Sequence, residues 1–197
     1  MRNDVTIALI AGGKSSRMGT DKSFVELAGT PLIEHLMVRV DGLANTILIT
    51  NRPDDYVHLG LPMFSDVIPE KGSLGGIYSA IHHSQSEWTL ALACDMPFVS
   101  AELLRYMVGL RDESLDVIVP RVDKYPQGLH ALYRRTCLEP IRAKIDADRL
   151  KVIGFYGDVR VRYLDEAEYE KFDSAKQSFF NVNTPQDLEE ARQQYES

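Results

Sequence analysis

Val5-Thr6-Ile7-Ala8-Leu9-Ile10-Ala11 runs without a charge into Gly12-Gly13-Lys14-Ser15-Ser16-Arg17-Met18-Gly19-Thr20-Asp21-Lys22. The apolar run suits a strand buried on both faces in a parallel sheet. Gly12-Gly13 then lets the backbone turn sharply and bring its N–H groups close to a phosphate. Lys14, Arg17 and Lys22 add full positive charges to that turn. Strand, glycine turn and cations together predict an anion cradle at the C-terminal end of a central strand.

Composition narrows what the anion can be. With 197 residues, 44% hydrophobic and 26% charged, the chain suits one α/β core, expected as a single domain over 1–197. A formal net charge of −7 argues against an extended nucleic-acid surface, which needs a basic face neutralising several phosphates. A local cation cluster on a negative molecule fits one small polyphosphate. Cys94 and Cys137 have no partner motif for zinc or a disulfide framework, which fits a reducing cytoplasm. The N-terminal apolar run is too short to cross a membrane and lacks a signal-peptide pattern.

Further along, strand-like segments at 5–11, 45–50, 89–94 and 115–120 alternate with helix-like segments at 31–41, 74–84 and 100–110. That alternation predicts a three-layer α/β/α fold with a Rossmann-like, mostly parallel sheet. Thr30-Pro31 reads as a helix start, with Thr30 as cap. Thr89-Leu90-Ala91-Leu92-Ala93-Cys94 is a buried strand ending at Asp95. Ligands of open α/β sheets lie outside such strand ends, so Asp95 and the Gly12-Gly13 turn should converge. Beyond Pro120, Arg121 to Gln127 reads as a polar connection, Leu129 to Tyr133 as a short strand, and 134–146 as an amphipathic helix. Residues 1–120 are therefore the expected nucleotide half and 121–197 the half for a second ligand. Near the end, Thr184 caps, Pro185 starts a helix and Asp187 completes a box-like N-terminus.

The turn is not a Walker A loop, because Gly13 and Gly19 are too far apart and Lys22 stands beyond Gly19. Nor is there a G-x-G-x-x-G fingerprint, a G-x-S-x-G elbow or an H-E-x-x-H pair. The stretch Gly12 to Lys22 instead resembles the signature loop of nucleotidyltransferases, which move a nucleoside monophosphate from a triphosphate. Ile10-Ala11-Gly12-Gly13, Arg17-Met18-Gly19-Thr20-Asp21-Lys22, Pro31-Leu32, Cys94-Asp95-Met96-Pro97-Phe98 and Phe180-Asn181-Val182-Asn183-Thr184-Pro185 resemble, in order, the motifs of the molybdenum cofactor guanylyltransferase family. Two departures stand out. The family usually has Gly-Pro-Leu-Ala-Gly where this chain has Gly72-Ser73-Leu74-Gly75-Gly76, and Gln-Pro-Leu where it has Gln127-Gly128-Leu129.

The resemblance implies a sheet of the nucleotide-diphospho-sugar transferase type and transfer of GMP from GTP to the terminal phosphate of molybdopterin, with release of pyrophosphate. Gly12 implies guanine, since the related cytidylyltransferases tend to carry Ala-Ala-Gly at the turn. An ionised phosphate nucleophile needs no general base, so positioning and electrostatics carry such a reaction. Arg17 and Lys22 would supply charge, and Asp95 would hold Mg2+, which is usually bound by one or two carboxylates plus substrate phosphates. Leu9, Ala11, Gly12, Gly13 and Lys22 would contact the nucleotide. So would Asp66, Gly72, Leu74, Gly75 and Asp95. His130, Asn181 and Asn183 would line the pterin side. Asp95 also reads as a turn aspartate, and Asn181 and Asn183 as turn and capping residues. A CTP-using enzyme for the same pterin, a sugar- or alcohol-phosphate nucleotidyltransferase and a non-catalytic nucleotide-binding regulator are the alternatives. The acidic exterior with its cation site is compatible with brief docking to a pterin-delivering or molybdoenzyme-chaperone protein.

Overall fold

A computed structural model gives the structure of residues 4–12, 22–173 and 176–196. Two central strands, β1 (Val5–Ile10) and β6 (Trp88–Ala93), are buried along their whole length, as continuous apolar runs require when both faces are covered. Beside β1 lies β4 (Asn45–Ile49), then the two-residue edge strand β5 (Met63–Phe64). Beyond β6 come β9 (His130–Arg134), β7 (Val117–Val122) and β10 (Val161–Leu164), giving the order β10-β7-β9-β6-β1-β4-β5.

Strand β9 runs antiparallel to both β6 and β7, and the other pairs along this path are parallel. Its direction follows from chain length. β7 turns through Asp123 and Lys124, both at positive φ, into β8 (Tyr125–Pro126), and β9 begins four residues later. A parallel return needs a crossover of a dozen residues or more, so the chain can only come back antiparallel. The stretch 121–127 is thus largely hairpin rather than a loose connection.

Helices α1 (Leu32–Val40) and α3 (Ala101–Gly109) cover one face of the sheet, where Ile7, Leu9, Leu90, Leu92 and Leu132 point. Helices α2 (Gly72–His83) and α4 (Leu138–Asp146) cover the other, against Ala8, Ile10, Ala91 and Ala131. This is the three-layer arrangement read from the sequence. The expected helix at 134–146 is divided: a 3-10 turn at Arg135–Cys137 precedes α4.

Thr30 does not cap α1. Glu26–Leu27 (β2) pairs with Thr30–Pro31 (β3) across Ala28 and Gly29, whose φ values of 53° and 78° suit a tight two-residue hairpin turn. Pairing with β2 commits Thr30 to the hairpin, and the Leu32 N–H is taken by the Val25 carbonyl. α6 (Pro185–Glu196), by contrast, starts as expected: Asp187 N–H donates to Thr184 Oγ1, and the Asp187 carboxylate accepts from Asn183 and Thr184 N–H. The short helix α5 (Glu166–Tyr169), β10 and the 3-10 segment Val152–Asp158 carry no signal in the sequence reading.

Candidate functional site

Three strand ends build the site. Ala11 N–H donates to the Ile49 carbonyl at 3.0 Å and Cys94 N–H to the Ile10 carbonyl at 3.3 Å, so the chain leaves β4, β1 and β6 side by side. Gly12, Asn51 and Asp95 follow directly, along the edge where open α/β sheets bind ligands. Gly12 is exposed, and a side chain there would meet nothing within 4 Å. Asp95 is half-buried.

Val182 N–H donates to the Asp95 carbonyl at 2.9 Å, bringing the segment with Asn181 and Asn183 to the same edge. Asn181 Nδ2 donates to the Phe179 carbonyl, and Asn183 is exposed at the start of α6. On the other flank, Asn51 and Asp66 grip each other. Asn51 Nδ2 donates to Asp66 Oδ2 at 2.8 Å, and Asp66 N–H donates to Asn51 Oδ1 at 2.9 Å. Asn51 is a candidate the sequence reading did not offer; its signal was that it follows a buried strand, as Asp95 does.

Lys22 opens a 3-10 turn over Lys22–Phe24. The next residue, Ser23, is buried with its hydroxyl against the Cys94 thiol and the Tyr56 hydroxyl. Cys94 itself is packing: burial first, and then the neighbouring Asp95 charge, push its thiol well above the usual range, leaving it unreactive. Gly13 and Arg17, with Lys14, lie outside the described residues.

Several of the expected site residues have their side chains packed in the core. Leu9 lies inside β1, paired on both sides, with its side chain fully buried. Leu74 is fully buried under α2. A side chain on Gly75 would come within 2.8 Å of Lys71 Cβ, and its N–H and carbonyl bond Lys71 O and Ser79 Oγ, so its close approach is to protein. Gly76 faces Ile10 Cγ2 at 2.9 Å in the same sense. Gly72, at φ +57° and exposed, faces open space.

His130 is the clearest correction. It is 0% exposed, its ring meets Phe179 edge-on at 5.0 Å, and among the described residues neither ring nitrogen has a hydrogen-bond partner. Burial holds its pKa down to about 4, with the Ser178 backbone opposing weakly from outside good hydrogen-bond geometry. Its alternation in β9 points it into the core with Leu92 and Leu132.

Among the described residues, no three His, Cys, Asp or Glu side chains cluster as metal ligands, and no helix is long and apolar enough to cross a membrane. A single half-buried carboxylate at Asp95 suits an ion completed by waters and substrate phosphates.

The MobA-like NTP transferase domain family matches residues 7–159. A protein of Pelotomaculum thermopropionicum named "Probable molybdenum cofactor guanylyltransferase" is 37% identical over 188 residues, covering 95% of this chain and 91% of its own. One of the same name from Natranaerobius thermophilus is 31% identical, covering 98% and 97%. The crystal structure of molybdopterin-guanine dinucleotide biosynthesis protein A from Archaeoglobus fulgidus superposes with a TM-score of 0.86 at 28% identity, covering 97% of this chain and 98% of that one.

Proposed function

Because the chain belongs to the MobA-like NTP transferase domain family, we propose that it transfers GMP from GTP to the terminal phosphate of molybdopterin. A phosphate oxygen of the acceptor forms a bond to the α-phosphorus of GTP, the bridge to the β-phosphate breaks, and pyrophosphate leaves. The relatives' names support this reading, and one observation carries it: the 2.9 Å bond from Val182 to Asp95, which joins the C-terminal segment to the strand end beside Gly12.

In this reading 1–197 acts as one nucleotidyltransferase domain. Ala11, Gly12, Gly13 and Gly72 offer backbone to the nucleotide, with Gly13 and Arg17 in the part not described. Asn51 and Asp66 take its ribose or base. Asn181 and Asn183 face the pterin, Asn amides matching a ring edge rich in donors and acceptors. The reacting groups are both anions, so the chain's task is to hold them in line and offset charge on the leaving oxygen. Lys22 and Arg17 have the charge for that. Asp95 would hold Mg2+, whose chemistry is to neutralise phosphate charge and orient the phosphates. The cytoplasm is its expected place, consistent with Cys94 and Cys137 both free and buried.

Calorimetric titration with GTP, CTP, ATP and UTP, with and without Mg2+, on wild type and Asp95→Ala, tests the nucleotide half of the proposal. GTP selectivity that depends on Mg2+ and Asp95 supports it. Preference for CTP points to the cytidylyl sibling, and no nucleotide binding overturns it.

A further inference from the structure

Asp66 stands just past β5, an edge strand of two residues paired on one side only, so the ladder does little to fix it. Two side chains do that instead. Asn51 holds Oδ2, as described, from the exposed end of β4. The other is Ser79, which is 0% exposed on the inner face of α2.

The Ser79 hydroxyl accepts from the Val67 N–H at 3.0 Å and lies 3.2 Å from Asp66 Oδ1 and 2.8 Å from the Gly75 carbonyl. Its one proton therefore has two acceptors, the carboxylate and a backbone oxygen one turn earlier. This one buried group reaches the Asp66 carboxylate, the backbone beyond it and the first turn of α2. Gripped at Oδ2 by Asn51 and at Oδ1 by Ser79, the carboxylate has little freedom to rotate. It keeps acceptor capacity, since a carboxylate has about four lone-pair sites and these bonds use two. Acceptors of that kind take hydroxyl or N–H donors and repel phosphates, so the partner is the nucleoside part of a nucleotide.

We propose that Ser79 is a positioning residue for nucleotide recognition, acting through Asp66; this rests on the reading of Asp66 as a nucleotide contact. Ser79 touches no substrate itself. Its effect is to hold an otherwise loosely fixed carboxylate in one orientation, at a position where the two-residue strand provides no rigidity.

Steady-state kinetics on Ser79→Ala, Asp66→Asn and the double variant tests it. Removing the hydroxyl should raise the KM for GTP about ten- to a hundredfold, the range for losing a hydrogen bond to a charged group. The kcat and the KM for molybdopterin should stay near wild type. In the Asp66→Asn background the same change should add less than about twofold, because residues acting as a unit are not additive. Ser79→Cys keeps the volume with a weak donor and carries the test if the alanine variant does not fold; it too should raise the KM for GTP. Unchanged GTP KM in Ser79→Cys, additive effects, or equal losses for both substrates would overturn the proposal while Asp66→Asn still weakens GTP. If Asp66→Asn leaves GTP binding intact, the assignment of Asp66 falls, and the role of Ser79 with it.

Discussion

The Val182 N–H and the Asp95 carbonyl meet at 2.9 Å, and that bond spans nearly half the chain. It attaches the segment carrying Asn181 and Asn183 to the strand end carrying the metal-binding candidate. The same segment is anchored further back: Ser100 N–H donates to Ser178 Oγ at 2.8 Å, and the Phe179 ring packs against His130 and Tyr169. The candidate acceptor residues are thus held by backbone bonds and ring packing, which leave the Asn183 side chain exposed at the edge.

That attachment uses the backbone of Asp95, so changing its side chain should leave the fold intact. Asp95→Asn should melt within a few degrees of wild type, yet lose about a hundredfold or more in transfer rate, the cost of removing a group that organises developing charge. Thermal melts beside turnover at several Mg2+ concentrations check this. A variant with full turnover would remove Asp95 from the mechanism.

His130 makes stability depend on acid. Unfolded, the ring binds a proton near pH 6.5; folded, burial holds it to about 4. Between those values the unfolded chain binds more protons, so stability falls as pH drops through that window, by about 3 kcal/mol in all. Urea unfolding of wild type and His130→Leu from neutral to mildly acid pH compares the slopes. The variant should lose less stability across the window, and parallel slopes would exclude His130 as the cause.

At Gly128 a Cβ would sit 2.4 Å from Val152 Cγ1, and the Gly128 carbonyl accepts the Tyr133 hydroxyl at 2.6 Å. The family's proline has no room here while Val152 stays. Gly128→Ala should therefore cost about 1–3 kcal/mol, the usual range for overpacking. Adding Val152→Ala should recover part of it, read as a rise in Tm over the single variant.

The Asp187 carboxylate accepts the Asn183 and Thr184 N–H groups at 2.8 Å each. Asp187→Ala should cost about 1 kcal/mol, as loss of a helix cap usually does, lowering Tm by about 3 °C. A change in the KM for molybdopterin alone, with GTP unaffected, would further tie this capped turn to the acceptor side.

Much of the fold was legible because β1 and β6 are apolar runs buried on both faces and β4 ends in one, and their bounding turns survive in the sequence. Strand β9 was visible as a strand, but its insertion beside β6 was not. That placement follows from the hairpin at Asp123-Lys124, and neither residue signals positive φ as a glycine would. Thr30-Pro31 carried a true helix-start pattern that a hairpin overrode. In the candidate site, strand-end reasoning points to Asp95 and points equally to Asn51 when applied to β4. Ser79 sits mid-helix in the sequence and becomes informative only through Asp66. Leu74 and His130 turn their side chains into the core, which a motif position alone does not reveal.

The central claim is guanylyl transfer, and the most direct measurement is incubation of the purified chain with GTP, Mg2+ and molybdopterin, followed by mass analysis of the pterin and assay of pyrophosphate. Guanylyl transfer gives a pterin heavier by one GMP, pyrophosphate in equal amount, and neither product when CTP replaces GTP. Unmodified pterin with GTP, or a product formed with CTP instead, would contradict it.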